Sequence, residues 1–385
     1  MNILFINDFA PTFPGSFFES LVALSKKLHN KNYKLYYIFP LEREYIKRLN
    51  NYGEVYYCPS FMGKKFDLKL TKLLWEICSS YSIDIVHTNF GFAGFLSASL
   101  LSKILNFRHI AHERSPSKNY SANNSNFINK YRAKIIFGLL QIIGNTFYVA
   151  ISSGVKESLE NYCGISANKI TIIPNAVLKK RPNKNDDEQK LGILKKIKLS
   201  GNFIVGMTAH LGPAKDHKTL IDAAKIVNNQ KPNIHFIFIG GNLVNDKDNY
   251  RGQLERYIKI KGVDKTVHFI GEVQNPMPYV ELCDVGCLIS HWEGFGNALV
   301  EYMLKRKPVI GTAVGGIKDI IEDGINGYLV PPKDSGLLAE KINLLTENPQ
   351  LAKAMGEQGY QKAIREYDMD RWVNRILEVY ESCYE

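Results

Sequence analysis

The 385-residue sequence predicts an α/β protein of two domains, each a parallel sheet packed between helices. Three observations lead there. Short apolar runs alternate with longer amphipathic stretches along the whole chain, as in repeated strand–helix units. The chain is too long for one compact core, and its 45% hydrophobic content can fill two of ordinary size. One highly polar stretch, Lys179–Asn202, interrupts the alternation near the middle and marks the domain boundary.

The strands follow in order. In the first half they fall at Asn2–Asn7, Lys34–Phe39, Glu54–Tyr57, Ile83–His87, Phe107–Ala111, Thr146–Ile151 and Ile170–Ile173. In the second half they fall at Phe203–Met207, Ile234–Ile239, Val267–Ile270, Val285–Ile289, Pro308–Gly311 and Gly327–Val330. Helices lie between them, Asp216–Gln230 and Asn297–Lys305 among them. The tail Asp370–Tyr384 carries Trp372, Val373, Ile376, Val379 and Tyr380 at helical spacing and reads as a packing helix. No internal repeat is visible.

Met1–Asp8 lacks the basic flank of a secretory signal and reads as a buried first strand. Two charge-free segments, Ile85–Ser102 and Ile135–Val155, are broken by Gly, Asn, Thr, Ser or His, and neither reads as a membrane span. The six cysteines are scattered, with no C-x-x-C pair and no accompanying histidine cluster. A metal site and a disulfide framework therefore both lack support, and a cytoplasmic location fits.

Net charge is +11 and uneven along the sequence. Residues 1–200 hold 28 Lys and Arg against 14 Asp and Glu, whereas residues 201–385 hold 21 against 24. The basic half suits contact with an anionic membrane surface or a lipid-phosphate acceptor, and equally an ordinary solvated surface. Nucleic acid is the weakest candidate, because no binding motif for it is present, and no nucleic-acid partner is expected.

The stretch Ser290-His-Trp-Glu-Gly-Phe-Gly-Asn-Ala-Leu-Val-Glu301 carries the most chemistry. It leaves an apolar strand and enters a helix. Gly294 and Gly296 allow a tight turn and close approach of a ligand. The helix start near Asn297 offers free N–H groups and the positive end of a dipole. Glu301, one turn on, tilts back toward that start, where its carboxylate can accept from vicinal hydroxyls. Glu293 points into the same place from the loop. This combination suits a ligand bearing both phosphates and hydroxyls. Lys215, in the loop after Phe203–Met207, would face the strand ends where α/β sheets bind ligands, and could neutralise a leaving diphosphate.

The run Glu293–Glu301 resembles the E-x7-E motif of retaining GT-B glycosyltransferases, glycosyltransferase family 4 in particular. Lys307–Val330 is similar to that family's downstream block, and Ile239-Gly-Gly241 and Phe269-Ile-Gly-Glu-Val273 fall where its strand ends approach the nucleotide. The resemblance implies two Rossmann-like domains with a cleft between them: 1–180 for the acceptor, 200–365 for the donor, and a terminal helix, 366–385, crossing back to the first domain. It implies a nucleotide diphosphate-sugar as donor, a glycan or lipid-linked acceptor, retention of configuration, and neither a metal nor a cofactor. Surface polysaccharide or glycolipid synthesis in bacteria is the setting it suggests, with peripheral membrane contact through the basic domain.

The same resemblance assigns roles. Lys215, Glu293 and His112 become the catalytic set. His112 ends a strand in Ile110-Ala-His-Glu-Arg114 and is similar to the family's cleft histidine, which touches the transferred sugar. Donor contacts fall to Gly15, Ser16, His210, Gly240, Val273, Phe295, Gly296, Asn297, Ala298, Leu299 and Glu301. Gly15 and Ser16 stand where the family has a glycine-rich loop. The sequence departs from the pattern at His210, where the family carries an arginine, and an imidazole cannot match a fixed guanidinium fork. His87, Ile151-Ser-Ser153 and Ile173-Pro-Asn-Ala-Val177 read as structural. A sugar-nucleotide-binding protein without turnover and a GT-B epimerase are the alternatives, and uridine, guanosine and adenosine all stay open as the base.

Overall fold

The computed structural model describes residues 1–11, 14–115, 127–178, 202–242 and 249–383, together with residue 192. The boundary stretch expected at Lys179–Asn202 lies outside these apart from its last residue and residue 192, as do Thr12 and Phe13 of the first loop. The chain divides into two compact units, Met1–Leu178 completed by Asp368–Glu385, and Lys179–Tyr367.

The first unit holds β1 (Asn2–Asn7), β2 (Lys34–Phe39), β3 (Gly53–Tyr57), β4 (Ile85–Asn89), β5 (Arg108–Glu113), β6 (Thr146–Ala150) and β7 (Ile170–Ile172). Its helices are α1 (Ser16–Asn30), α2 (Leu68–Tyr81), α3 (Phe92–Leu101), α4 (Phe127–Ile143) and α5 (Ser153–Ser158). The strands pair in parallel in the order β3-β2-β1-β4-β5-β6-β7. Successive side chains of a strand point to opposite faces, so β1 feeds two cores. Ile3 and Phe5 enter one with α1. Leu4 and Ile6 enter the other with α2 and α3. Asp67 starts α2 by accepting from the Leu70 amide, an N-cap.

The second unit holds β8 (Phe203–Thr208), β9 (Ile234–Ile239), β10 (Val267–Gly271), β11 (Val285–Leu288), β12 (Val309–Thr312) and β13 (Gly327–Val330). These pair in parallel in the order β10-β9-β8-β11-β12-β13. Between and after them come α6 (His217–Gln230), α7 (Tyr250–Lys261), α8 (Met277–Leu282), α9 (Asn297–Met303), α10 (Ile317–Ile320), α11 (Ser335–Glu347) and α12 (Pro349–Glu366). The chain then forms α13 (Met369–Ser382), capped by the Asp368 carboxylate. This helix belongs to the first unit: Trp372, Val373, Ile376, Val379 and Tyr380 are buried there in the core that holds Ile3 and Phe5.

Both sheets are doubly wound. The strand order reverses between β1 and β4 in one and between β8 and β11 in the other. Ligands of such sheets bind beyond the strand carboxyl ends at these switch points.

Two readings of the sequence need correction. Strands β4 and β5 run two residues further than hydropathy suggests, to Asn89 and Glu113, because their polar residues are buried with partners on neighbouring strands, Thr88 with His109, Asn89 with Asn7 and His112 with His87. The charge asymmetry also fails to follow the units. Residues 1–178 with 368–385 carry 22 Lys and Arg against 16 Asp and Glu, and residues 179–367 carry 27 against 22. Part of the first half's excess belongs to the second unit, in 179–200 with eight basic residues against three acidic ones, and the acidic terminal helix, 368–385 with two against five, offsets more of it.

Candidate active site

The expected site residues fall into two groups, one beyond the strand carboxyl ends of each sheet. In the second unit, β8 runs out through His210 to a 3₁₀ turn at Pro213–Lys215, and β11 runs out to Glu293. Lys215 and Glu293 meet there in a direct ion pair, each side chain 15% exposed. Two further contacts tie the loops together: the His291 amide donates to the Ala214 carbonyl at 2.9 Å, and the His291 ring lies 3.6 Å from Asp216. Asp216, at a left-handed φ of 25°, accepts from the Thr219 hydroxyl at 2.7 Å and fixes the turn that presents Lys215.

A glycine pair after β12 supports the Glu293 loop from below. The Gly316 amide donates to the Glu293 carbonyl at 3.1 Å. A Cβ on Gly315 would stand 1.9 Å from that same oxygen, at a φ of +47°. Only glycine lets these two loops lie so close.

Gly296, at φ 113°, is the N-cap of α9. Phe295 and Leu299 are buried in the core, Phe295 against the Tyr367 ring, so only their backbones bear on a ligand. The Leu299 amide is already bonded to the Gly296 carbonyl at 2.9 Å. Asn297, Ala298 and Glu301 are half-buried on the other side of this helix start. Gly240 and Val273 follow the ends of β9 and β10, where the Gly240 amide donates to the Gly271 carbonyl at 2.9 Å. His210 is exposed as a residue, yet desolvation of its ring first, and the Lys215 charge second, hold its pKa below the ordinary value, with Glu293 opposing. Its imidazole is therefore neutral at pH 7.

In the first unit, Gly15 caps α1 and Ser16 begins it. Phe17, next along, stacks edge-on against Phe90 and lies under the guanidinium of Arg114 at 4.4 Å. His112 is buried two residues before that arginine. Its Nδ1 lies 3.3 Å from His87 Nε2, and His87 Nδ1 lies 2.6 Å from the Tyr380 hydroxyl of α13. Trp372 stacks over the His112 ring at 6.3 Å. Burial, then the Arg114 and His87 charges, push the His112 pKa far down, and burial takes His87 to about 3. Both rings are neutral.

Sequence reasoning passed over Arg114, Asn7, Asn89 and Asn175. Arg114 binds Asn89 and Asn175, and Asn89 donates to Asn7. Asn175 lies in the stretch Ile173–Val177, read as mainly structural. The available signal was polar residues at the ends of otherwise apolar strands.

Two doubly wound parallel sheets, each with chemistry-bearing residues at its switch point, define the GT-B class of glycosyltransferases. Residues 19–180 match the family model for Glycosyltransferase Family 4, and residues 192–362 match that for Glycosyl transferases group 1. The chain belongs to glycosyltransferase family 4. The EpsD protein of Bacillus subtilis is 29% identical over 181 residues, 47% of this chain and 46% of that protein, so the chain spans about half of that relative's length. The capsular polysaccharide biosynthesis glycosyltransferase CapM of Staphylococcus aureus is 26% identical over 265 residues, 66% of this chain and 65% of CapM. In fold, the chain resembles Anabaena HepE solved with UDP, with a TM-score of 0.81 and 22% identity over 99% of this chain and all of HepE.

Proposed function

We propose that this protein transfers a sugar, with retention and without a metal, from a nucleotide diphosphate-sugar to a glycan or lipid-linked acceptor in bacterial surface-polysaccharide or glycolipid synthesis. The observation that carries the reading is the Lys215–Glu293 pair at the β8–β11 switch point, beside the Gly-x-Gly entry to α9. The family and the relationship to CapM support it.

On this reading the donor lies on the second unit. Glu301 accepts from the ribose hydroxyls, and the amides of Phe295 to Ala298 receive sugar hydroxyls and phosphate oxygens. Lys215 moves from Glu293 to the diphosphate and stabilises the charge that develops as the bond between the anomeric carbon and phosphate oxygen breaks. The released Glu293 carboxylate stays beside the sugar. The acceptor oxygen attacks on the same face, and its proton passes to the leaving phosphate, so no enzyme nucleophile is needed. Lys215 supplies positive charge that a metal provides elsewhere. His112 on the first unit is assigned to the transferred sugar, and Gly15 and Ser16 to the phosphates. The neutral His210 grips the diphosphate less firmly than an arginine.

A peripheral membrane contact on this reading rests on α4, which exposes Ile135, Ile136, Leu139, Ile142 and Ile143 at spacings that share one face. No helix among the described residues is long and apolar enough to cross a membrane.

Thermal unfolding with each nucleoside diphosphate and common nucleotide sugar, with and without chelator, tests the proposal. UDP and UDP-glucose come first, since both are the ligands of HepE structures. A midpoint rise that chelator leaves unchanged, and that Glu301→Ala and Lys215→Ala both abolish, is expected. No rise with any nucleotide at millimolar concentration refutes it. Binding without transfer or hydrolysis would favour the non-catalytic binder, for which the neutral His210 is the supporting feature.

A further inference from the structure

The switch point of the second sheet carries a balanced pair of charges, and that of the first does not. Arg114 donates from Nε and Nη2 to Asn89 Oδ1 at 3.2 and 3.1 Å, and from Nη1 to Asn175 Oδ1 at 2.9 Å. Its Nη2 also approaches His112 Nδ1 at 3.5 Å. Every one of these acceptors is uncharged. Among the described residues no carboxylate pairs with Arg114; the nearby Asp8 accepts instead from the Gly63 amide at 3.1 Å. The guanidinium face is covered by the Phe17 and Phe90 rings at 4.4 and 5.4 Å. Neutral acceptors satisfy N–H groups, but they leave the charge in place. Burial lowers the Arg114 pKa only to about 9, so the group is cationic at neutral pH.

Arginine can only donate, and this sets the polarity of everything around it. Asn89 must turn its oxygen to Arg114, so its amide nitrogen donates to Asn7 Oδ1 at 3.2 Å. Asn7 Nδ2 is left as a buried donor with no partner among the described residues. In the same way His112 must present a lone pair at Nδ1 and keep its proton on Nε2, which is also buried without a partner among the described residues. In the register of the sheet, Asn7 on β1 pairs with Asn89 on β4, and Asn89 with His112 on β5. Three donor groups thus gather at adjacent strand ends with a charge that no carboxylate among the described residues compensates. The start of the 15-residue helix α1, through Phe17, adds its positive dipole end.

We propose that Arg114, with Asn7 and His112, is an oxyanion subsite of the first unit, built for a phosphate group. The acceptor reading of this unit enters only in naming where that phosphate comes from: an anionic acceptor in the first instance, or the diphosphate of the donor.

The test uses the full chain and inorganic phosphate, followed by calorimetry at constant ionic strength in the presence and absence of saturating UDP. Wild-type protein is expected to bind phosphate, and Arg114→Gln to bind it about 10- to 100-fold more weakly, the worth of hydrogen bonds to a charged group. Phosphate binding that persists with UDP bound, and that Lys215→Ala leaves intact, places an acceptor group in the subsite. Binding that UDP displaces, with UDP itself weakened in Arg114→Gln, assigns the same subsite to the donor diphosphate. Equal phosphate affinity in wild type and a folded Arg114→Gln overturns the inference. If Arg114→Gln does not fold, the wild type decides: no rise in its unfolding midpoint with phosphate over equal ionic strength of chloride overturns it as well. UDP binding lost only in Lys215→Ala and Glu301→Ala would uphold the donor site independently of this result.

Discussion

Acidification should unfold the first unit well before its carboxylates titrate. Three histidines, His87, His109 and His112, are buried there as neutral rings. His109 is the cleanest of them. Burial alone lowers its pKa to about 3, while its ring nitrogens bond Thr88, Ser99 and Thr146. A histidine depressed in the folded state binds fewer protons there than in the unfolded chain. Its contribution to stability is therefore complete above the unfolded value near 6.5 and is lost as pH falls toward 3. One pKa unit corresponds to about 1.4 kcal/mol, so at pH 5 His109 alone withdraws about 2 kcal/mol. His87 and His112 share Arg114 and each other, and together they add about 2–4 kcal/mol. A loss of about 4–6 kcal/mol rivals the whole stability of many domains. Urea unfolding at pH 7, 6 and 5, followed through the fluorescence of Trp372 over His112, measures it. In His109→Gln the hydrogen bonds can be kept but the titration is gone, and the drop between pH 7 and pH 5 should shrink by about 2 kcal/mol. Equal drops in the variant and the wild type would refute the reasoning.

Gly315→Ala should cost about 2–4 kcal/mol through a left-handed alanine and a Cβ forced onto the Glu293 carbonyl, and should also abolish the nucleotide-induced rise in midpoint. Gly324→Ala has a φ of +77° with open space around it, so it should cost only about 1 kcal/mol and keep the nucleotide response, as thermal unfolding of the two variants will show. Lys362→Met should lower stability by about 1–2 kcal/mol in chemical denaturation. Its buried ammonium donates to the Asp319 carbonyl and the Glu322 carboxylate, both at 2.8 Å, and methionine keeps only the apolar stem.

The architecture was legible because burial on both faces of a parallel strand leaves an unbroken apolar run, and helices between such runs carry a different period. The same rule misplaced the ends of β4 and β5. Thr88 and Asn89 look like loop residues until His109 and Asn7 are known to satisfy them, and those partners lie 21 and 82 residues away. Lys215 and Glu293 could be picked out because each sits in a loop of unusual local grammar, glycine-rich or proline-containing, between a strand and a helix. Arg114 offered no such signal. A single arginine after a strand is ordinarily a solvated charge, and only the register β1–β4–β5 brings Asn7, Asn89 and His112 to it. The charge count misled for a related reason: it was taken over sequence halves, while the first unit ends at Leu178 and resumes at Asp368.

That resumption has a consequence for biosynthesis. Helix α13 provides Trp372, Ile376 and Tyr380 to the core that β1 begins, closing contacts across more than 290 residues, among them the bond from Tyr380 to His87. As the chain emerges from the ribosome, the unit translated first is the last to be completed, and every residue of the other unit has been made before it closes. Until then the apolar ground between α1 and the sheet stays open to solvent, a period in which long-range topology makes the nascent chain dependent on protection from aggregation.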